Sequence, residues 1–372
     1  MTGRRPAAKG GDGPAHRLMS IVRWVAAAIV FAYAALILGW VLSRLAWGDR
    51  WWPVALLNSF PALLFVPAPV MLLLGLAARR RWVWAAALVP LLLWVGLFGW
   101  RFLPRVGGDA GASAASGAAP GQEQLRVMAF NVLAENRNVD GLARVIEEEH
   151  PDLIALAELS PSVDGALAQR VGGNYPYRTR EALPGSSFGM AIYSRWPLDD
   201  LGSLQTGLGL RSAVADVRTP LGTVRLVALH PRATHTVWFS WRAAVLAIQQ
   251  SFRERRAQMA AVCDYVEQWG DRPMILAGDF NMTEFSDAYR CANRRLHDGF
   301  RVAGRGYGNT WPNDAVRYWP LGGLSRLPAL TRIDYVFYSG HWAAIQAHVP
   351  DDVTGSDHRP VVVTLKWKRD AL

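Results

Sequence analysis

The apolar and polar positions divide the chain into two unlike parts. Three long apolar runs come first: Trp24 to Ser43 without a charged residue, Val54 to Ala78 with Pro61, Pro67 and Pro69, and Trp82 to Trp100 interrupted by Pro90. Each is close to the roughly 20 helical residues that cross a hydrocarbon core, so the pattern predicts three transmembrane helices. The prolines remove backbone donors and predict kinks or breaks in the second and third. Trp24, Trp40, Trp47, Trp51, Trp52, Trp82 and Trp100 gather toward the ends of the runs, where amphipathic rings favour the headgroup layer. The next stretch, Gly107 to Gln124, is mostly Gly, Ala and Ser and reads as a flexible tether.

From Leu125 onward short apolar runs alternate with helical spacing. Strands are expected at Leu125–Val132, Leu153–Leu156, Gly189–Ser194, Ala213–Arg218, Val224–Leu229, Met274–Ala277, Tyr335–Tyr338, Ala343–Val349 and Val361–Trp367. Helices are expected at Val139–Glu149, which stops before Pro151, and over Ser240–Trp269. Strands mixed with helices at this length predict layered α/β packing. The expected organisation is a basic tail (1–23), a membrane domain (24–105), a linker (106–124) and an α/β domain (125–368).

Charge sharpens this division. Residues 1–105 carry 12 Lys/Arg against Asp12 and Asp49, so the whole excess of +10 lies there and the remaining 28 basic and 28 acidic residues cancel. A net basic domain, the usual footprint of nucleic-acid binding, is therefore not found after residue 105. Arg4, Arg5, Lys9, Arg17 and Arg23 precede the first run, and Arg79–Arg81 lie between the second and third. Basic loops stay in the cytoplasm, which places the α/β domain on the extracytoplasmic face of a cell or inner membrane; Arg101 and Arg105 pull against that orientation. Cys263 and Cys291 match no zinc spacing and are expected to be two ordinary thiols, since a pair makes at most one bridge.

The candidate chemistry sits where strands end. Asn131 closes the first strand, Glu158 the second, His230 the strand ending Val227-Ala228-Leu229, and Gly278-Asp279-Phe280-Asn281 the strand from Met274. Arg332-Ile333-Asp334-Tyr335 opens a late strand, and Ser356-Asp357-His358 precedes the last one. Any one of these alone is a turn former or a structural histidine; together they would converge on one rim of a sheet.

In this order and with these neighbours, the segments closely resemble the endonuclease/exonuclease/phosphatase superfamily. Phe188–Arg195 and Thr310-Trp311-Pro312 are also similar to family segments. The resemblance covers about residues 125–367 and implies a DNase I-like four-layer α/β sandwich that hydrolyses phosphate esters. It implies Glu158 as the main ligand of Mg²⁺ (or Mn²⁺), with Asn131 and Asp357 beside the metal. His358, oriented by Asp334, would be general base or acid; Asp279 would align or deprotonate the attacking water; Asn281 would hold the phosphate, and His230 would stabilise its charge. Leu133 departs from the pattern: several nuclease members carry an acidic residue there.

The anchor and the neutral domain favour a lipid or other membrane-proximal phosphoester. Trp238, Phe239 and Trp241, soon after His230, suit a bilayer interface, or else pack the start of the long helix into the core. A tethered nuclease is the second reading, with Arg253, Arg255, Arg256, Arg294 and Arg295 as phosphate contacts, although solvated helix faces account for each of them better. A non-catalytic binding protein is disfavoured because every expected catalytic residue is present.

Overall fold

A computed structural model describes residues 14–103, 123–179, 188–234, 240–313, 329–351 and 354–368. The chain separates into two compact units, Met1–Ala46 with Ala62–Trp100, and Trp47–Pro61 with Arg101–Leu372.

The first unit holds α1 (Pro14–Ala46), and later α3 (Ala68–Ala77) and α4 (Arg81–Phe98). Between α1 and α3, in chain order, α2 (Trp52–Ser59) belongs to the second unit. Ala27 and Val30 of α1 pack with Ala78, Val83 and Ala87, and Phe65 lies edge-on to both Trp40 and Phe98 at 6.0 and 5.8 Å. Leu36, Leu42, Leu73 and Leu92 face outward, exposed, so these helices are apolar on their outer surfaces too, as membrane helices are.

Two helices among the described residues, Pro14–Ala46 and Arg81–Phe102, are long and apolar enough to cross a membrane. The second apolar run is not one helix: it breaks at Phe60 into pieces that make a third span only if counted together. Phe60 sits at φ −134°, ψ 52°, outside the helical region as a residue before proline tends to be. The organisation therefore differs from the expected one in two places. Ten residues of the basic tail, from Pro14, are already helical, and Trp47–Pro61 and Arg101 fold with the α/β unit rather than with the membrane part. Arg101, read from sequence as a juxtamembrane charge, is buried in that unit and paired with Glu284.

Among the described residues the second unit has twelve strands: β1 (Gln124–Asn131), β2 (Leu153–Leu159), β3 (Tyr177–Arg178), β4 (Gly189–Ser194), β5 (Leu198–Asp200), β6 (Arg211–Thr219), β7 (Gly222–His230), β8 (Met274–Asp279), β9 (His297–Asp298), β10 (Asp334–Tyr338), β11 (Trp342–His348) and β12 (Val361–Trp367). They form two six-stranded sheets, ordered β11-β12-β1-β2-β4-β3 and β5-β6-β7-β8-β10-β9. The helices are α5 (Val139–Glu149), α6 (Pro161–Val171), α7 (Trp241–Trp269), α8 (Asp287–Ala292) and α9 (Gly299–Ala303).

Strand side chains alternate between faces, and here both faces are buried. Val127, Ala129, Leu153 and Ala155 meet Ala213, Ala215, Leu226 and Ala277 between the sheets. Their neighbours Met128, Phe130, Ile154 and Leu156 pack under Leu142, Val145 and Ile146 of α5 and Leu167 of α6. On the far side Val227, Leu229, Leu276 and Phe337 pack under Met259, Val262 and Val266 of α7. The result is helix, sheet, sheet, helix, the four-layer arrangement expected.

Cys263 and Cys291 are not free thiols. They form a disulfide between α7 and α8, their Cα atoms 6.2 Å apart, within the range a bridge needs. Helical packing brings together two residues that spacing could not pair.

One buried ion pair ties the C-terminal strands together. Arg332 donates to both carboxylate oxygens of Asp298, at 2.9 and 2.7 Å, and the Tyr289 hydroxyl donates to Asp298 as well, at 2.9 Å. Burial alone would raise the Asp298 carboxyl, but the Arg332 charge and these hydrogen bonds hold it below 3.8. Its contribution is therefore complete above the ordinary carboxylate value and is lost as pH falls through the depressed one. Asp298→Asn is expected to cost about 3–5 kcal/mol near neutrality, because it leaves buried Arg332 only the longer contact with Glu284, at 3.6 Å. Unfolding curves of both proteins should converge as pH falls below 3.8; a constant gap across that window would refute the pairing.

Candidate active site

Strand direction builds the rim. β1 pairs parallel with β2, and β7 parallel with β8, so Asn131, Glu158, His230 and Asp279 all lie at C-terminal ends pointing the same way. β10 runs antiparallel to β8 with Asp334 opposite Asp279, and β12 antiparallel to β1. Their N-terminal ends, carrying Asp334 and preceded by His358, therefore fall on the same edge.

Local backbone then aims each side chain. Glu158 has φ +56° where the register shifts between Leu156 and Leu159; such a bulge re-aims a side chain, and the left-handed conformation of a non-glycine residue costs roughly 1–3 kcal/mol. Asn281, at φ +52°, is the second strained site residue. Gly278 has φ +140°, and a Cβ there would lie 2.2 Å from the Leu229 carbonyl oxygen, so the parallel contact of β7 and β8 requires glycine. Ser356 Oγ donates to the Asn131 carbonyl at 2.6 Å and accepts from the His358 N–H at 3.0 Å. That hydroxyl pins the turn before β12 to the end of β1.

The polar groups converge on Asp279 Oδ2. Asn131 Nδ2 donates to it at 3.0 Å and to Glu158 Oε1 at 3.1 Å, spacing the two carboxylates apart. His230 Nε2 lies 3.4 Å from Glu158 Oε1 and 3.5 Å from Asp279 Oδ2, and His358 Nε2 lies 3.7 Å from Asp279 Oδ2. Asn281 donates its backbone N–H to Asp279 Oδ1 at 2.8 Å and its amide to Oδ2 at 3.2 Å. Behind His358, Asp334 Oδ2 meets Nδ1 at 2.9 Å, and Thr310 Oγ1 accepts the Asp334 N–H at 3.3 Å.

Burial would raise Asp279, yet the charge of His358 and contact with His230 hold it down to about 2. Burial pushes Asp334 up to about 6, with His358 opposing and Asp279 reinforcing the rise. Burial would lower His358, but Asp334, Asp279 and Asp357 raise it well above the ordinary imidazole value. The buried anions and the imidazolium stabilise one another.

A divalent cation fits one end of this cluster. Glu158, His230 and Asp279 present ligand atoms within 4.8 Å of one another, and both ring nitrogens of buried His230 lack a hydrogen-bond partner. Carboxylate oxygens are the donors that Mg²⁺ and Mn²⁺ prefer. Asp279, Asp334 and His358 form a second such group, but its histidine and Asp334 are already committed to each other.

Two expected ligands are oriented otherwise. Asn131 turns its amide nitrogen to the carboxylates while its Oδ1 accepts the Leu133 N–H at 3.0 Å. Asp357 Oδ2 accepts the Trp311 indole N–H at 3.2 Å. Leu133, the departure from the family pattern, contributes its backbone at φ +64° instead of a carboxylate. Trp241 is 74% exposed, which excludes packing in the core; Trp238 and Phe239 lie outside the described residues.

Arg211 was missed by sequence reasoning. It opens β6 directly opposite His230, and the charge of Glu158 partly offsets the lowering that burial imposes on its guanidinium. The available signal was that a strand antiparallel to the one ending in His230 must start on the same rim.

Asp334→Asn removes the anion facing Nδ1, so the His358 ring should titrate at lower pH than in the wild type. Histidine ring NMR across a pH series checks this; an unchanged titration would mean that Asp334 does not hold the imidazolium.

None of the curated proteins matches the chain. Among solved structures, TDP2 from C. elegans is similar at TM-score 0.50 and 17% identity, covering 70% of this chain and 82% of that one. The beta toxin of Staphylococcus aureus is similar at TM-score 0.49 and 17% identity, covering 66% and 100%. An endonuclease/exonuclease/phosphatase from Beutenbergia cavernae DSM 12333 is similar at TM-score 0.47 and 21% identity, covering 66% and 72%. The sequence profile of the Endonuclease/Exonuclease/phosphatase family matches residues 128–358, more than half of the chain and every strand-end residue placed above. The protein belongs to the Endonuclease/Exonuclease/phosphatase family.

Proposed function

We propose that this is a membrane-anchored, divalent-metal-dependent phosphoesterase acting on a lipid or another phosphoester at the bilayer surface. The observation that carries the hydrolytic reading is the convergence of Asn131, His230, Asn281 and His358 on one oxygen of Asp279.

Glu158, with Asp279 and His230 nearby, would hold the metal, which when bound supplies charge neutralisation at a phosphoryl oxygen. Asp279 keeps one oxygen on the Asn281 N–H and turns the other toward the rim, where it aligns the attacking water. His358, with Nδ1 fixed by Asp334, has only Nε2 to offer; that N–H faces the reacting group and stabilises developing negative charge. His230 and the Asn281 amide face the phosphoryl oxygens from the other side.

The membrane-proximal substrate rests on three further features. Trp47–Pro61 and Arg101 onward fold as one unit, which supports a threading in which both lie on one face of the bilayer. An even number of crossings between them would be made by α4, which is long and apolar enough, and by the apolar stretch after Pro61, whose helix α3 has 10 residues; α1 would make a third crossing. With the basic tail and Arg79–Arg81 inside, this unit lies outside, and a disulfide between α7 and α8 is consistent with an oxidising compartment. Exposed Trp241 at the start of α7 offers an interfacial side chain close in sequence to His230.

The nuclease reading is weakened by its own arginines. Arg255 is buried, donating to the Arg232 carbonyl and Thr234 Oγ1 at 2.9 and 3.1 Å, and Arg295 is paired with Glu267. Arg255 is therefore committed within the protein, whereas the exposed Arg295–Glu267 pair is a weak surface contact.

Full-length protein with Mg²⁺, offered membrane lipids beside single- and double-stranded DNA, should hydrolyse a phospholipid and leave DNA intact. His358→Ala should lower that rate by about 10²–10⁴-fold. DNA cleavage alone would overturn the lipid preference, and silence on lipid, DNA and soluble phosphoesters would sink the enzymatic reading. Topology has its own check in intact cells: an impermeant maleimide should label Cys263 and Cys291 only after an impermeant reductant is added. Labelling that requires lysis would place the unit inside.

A further inference from the structure

The catalytic unit contains a segment that the family resemblance does not cover. Trp47–Pro61 lies between two apolar stretches of the membrane part, more than 60 residues before β1, yet folds within the α/β unit. Its contacts go to the loops that carry the rim.

The hydrogen bonds are specific. Asp49 and Asp287 exchange backbone-to-carboxylate bonds at 3.0 and 2.7 Å, fastening the segment to the start of α8. Asn58, 1% exposed, donates to Asp49 Oδ1 at 2.9 Å, and its carbonyl accepts from Thr283 Oγ1, two residues after Asn281. The Ser59 carbonyl accepts from Thr331 Oγ1 at 3.1 Å, three residues before Asp334. The Phe60 ring lies 6.4 Å from that of Trp311, whose indole N–H holds Asp357. Trp311 follows Thr310, which accepts the Asp334 N–H. Three consecutive residues thus grip the loops of Asn281, Asp334 and Asp357, the loop-borne part of the site.

We propose that Trp47–Pro61 is a built-in positioning element for the active site, so that a chain threaded through the membrane supplies the last support of its own catalytic loops. This rests on the phosphoesterase reading for its consequence in rate, but not for its consequence in loop order. Arg101, which precedes the linker expected at 106–124, already belongs to the catalytic unit. A fragment starting after that linker would keep every family motif and lack the brace.

The test uses full-length protein in detergent micelles and a soluble nitrophenyl phosphodiester. Thr331→Val removes one hydroxyl at nearly constant shape; Thr331→Ser keeps it. A net hydrogen bond contributes about 0.5–1.5 kcal/mol, so Val should lower kcat by up to about tenfold with KM within about twofold, and Ser should restore it. Amide exchange at residues 309–313 and 330–334 should rise with Val while β1 and β7 stay protected. Phe60→Ala and Trp311→Phe should combine less than additively if Phe60 acts through Trp311.

Unchanged exchange in Thr331→Val and Phe60→Ala would overturn the brace outright. Faster exchange with unchanged kcat would overturn its positioning role. Exchange that rises throughout β1 and β7 means general unfolding and would also count against it. A wild type without phosphodiesterase activity would defeat the phosphoesterase reading for this substrate, while the exchange data would still decide for or against the brace.

Discussion

Everything on the rim depends on keeping the Asp279 carboxylate charged in a place where burial opposes charge. An isolated buried carboxylate would take up a proton. Here the His358 imidazolium, the His230 ring, two asparagine amides and the Asn281 N–H surround it. The compensation is mutual. Asp279 and Asp334 hold the proton on His358, and Asn131 keeps Glu158 and Asp279 from confronting each other directly. A site held this way is preorganised: its dipoles and charges already point at the place where a phosphoryl group would gain charge.

The scaffold supplies that arrangement by direction as much as by identity. Two parallel strand pairs send four polar ends to one edge, and the antiparallel partners return with their starts at the same edge. Both faces of each sheet are sealed by apolar side chains, so the rim is where polar groups escape the core without losing partners. The strain sits there as well: Glu158 and Asn281 occupy left-handed backbone at a cost of roughly 1–3 kcal/mol each, a cost offset by the two buried cores beneath them.

The apolar N-terminal stretch does not fold as a single unit. Its segment Trp47–Pro61 belongs to the α/β unit, where Asn58 and Ser59 accept hydrogen bonds from Thr283 and Thr331 in the loops near Asn281 and Asp334. The same division removes the apparent conflict of Arg101 with the charge rule for topology: Arg101 is a structural cation, buried against Glu284, not a free marker of the cytoplasmic side.

Much was legible from the order of residues. Periodicity alone located β1, β2, β4, β7, β8, β10, β12, α5 and α7 to within a few residues, because a strand or helix buried on one or both faces must write its period into the sequence. The strand-end residues were legible as a set, since each follows or precedes an apolar run. Other features were decided only in three dimensions. The disulfide between Cys263 and Cys291, the place of Arg211 opposite His230 and the turn of Asp357 toward Trp311 depend on which elements become neighbours. So does the break of the second apolar run. Hydropathy reads α2 and α3 as one span, because transfer to an apolar environment looks the same whether lipid or protein provides it. Only the hydrogen bonds of Asp49, Asn58 and Ser59 show that α2 found its partners in the protein.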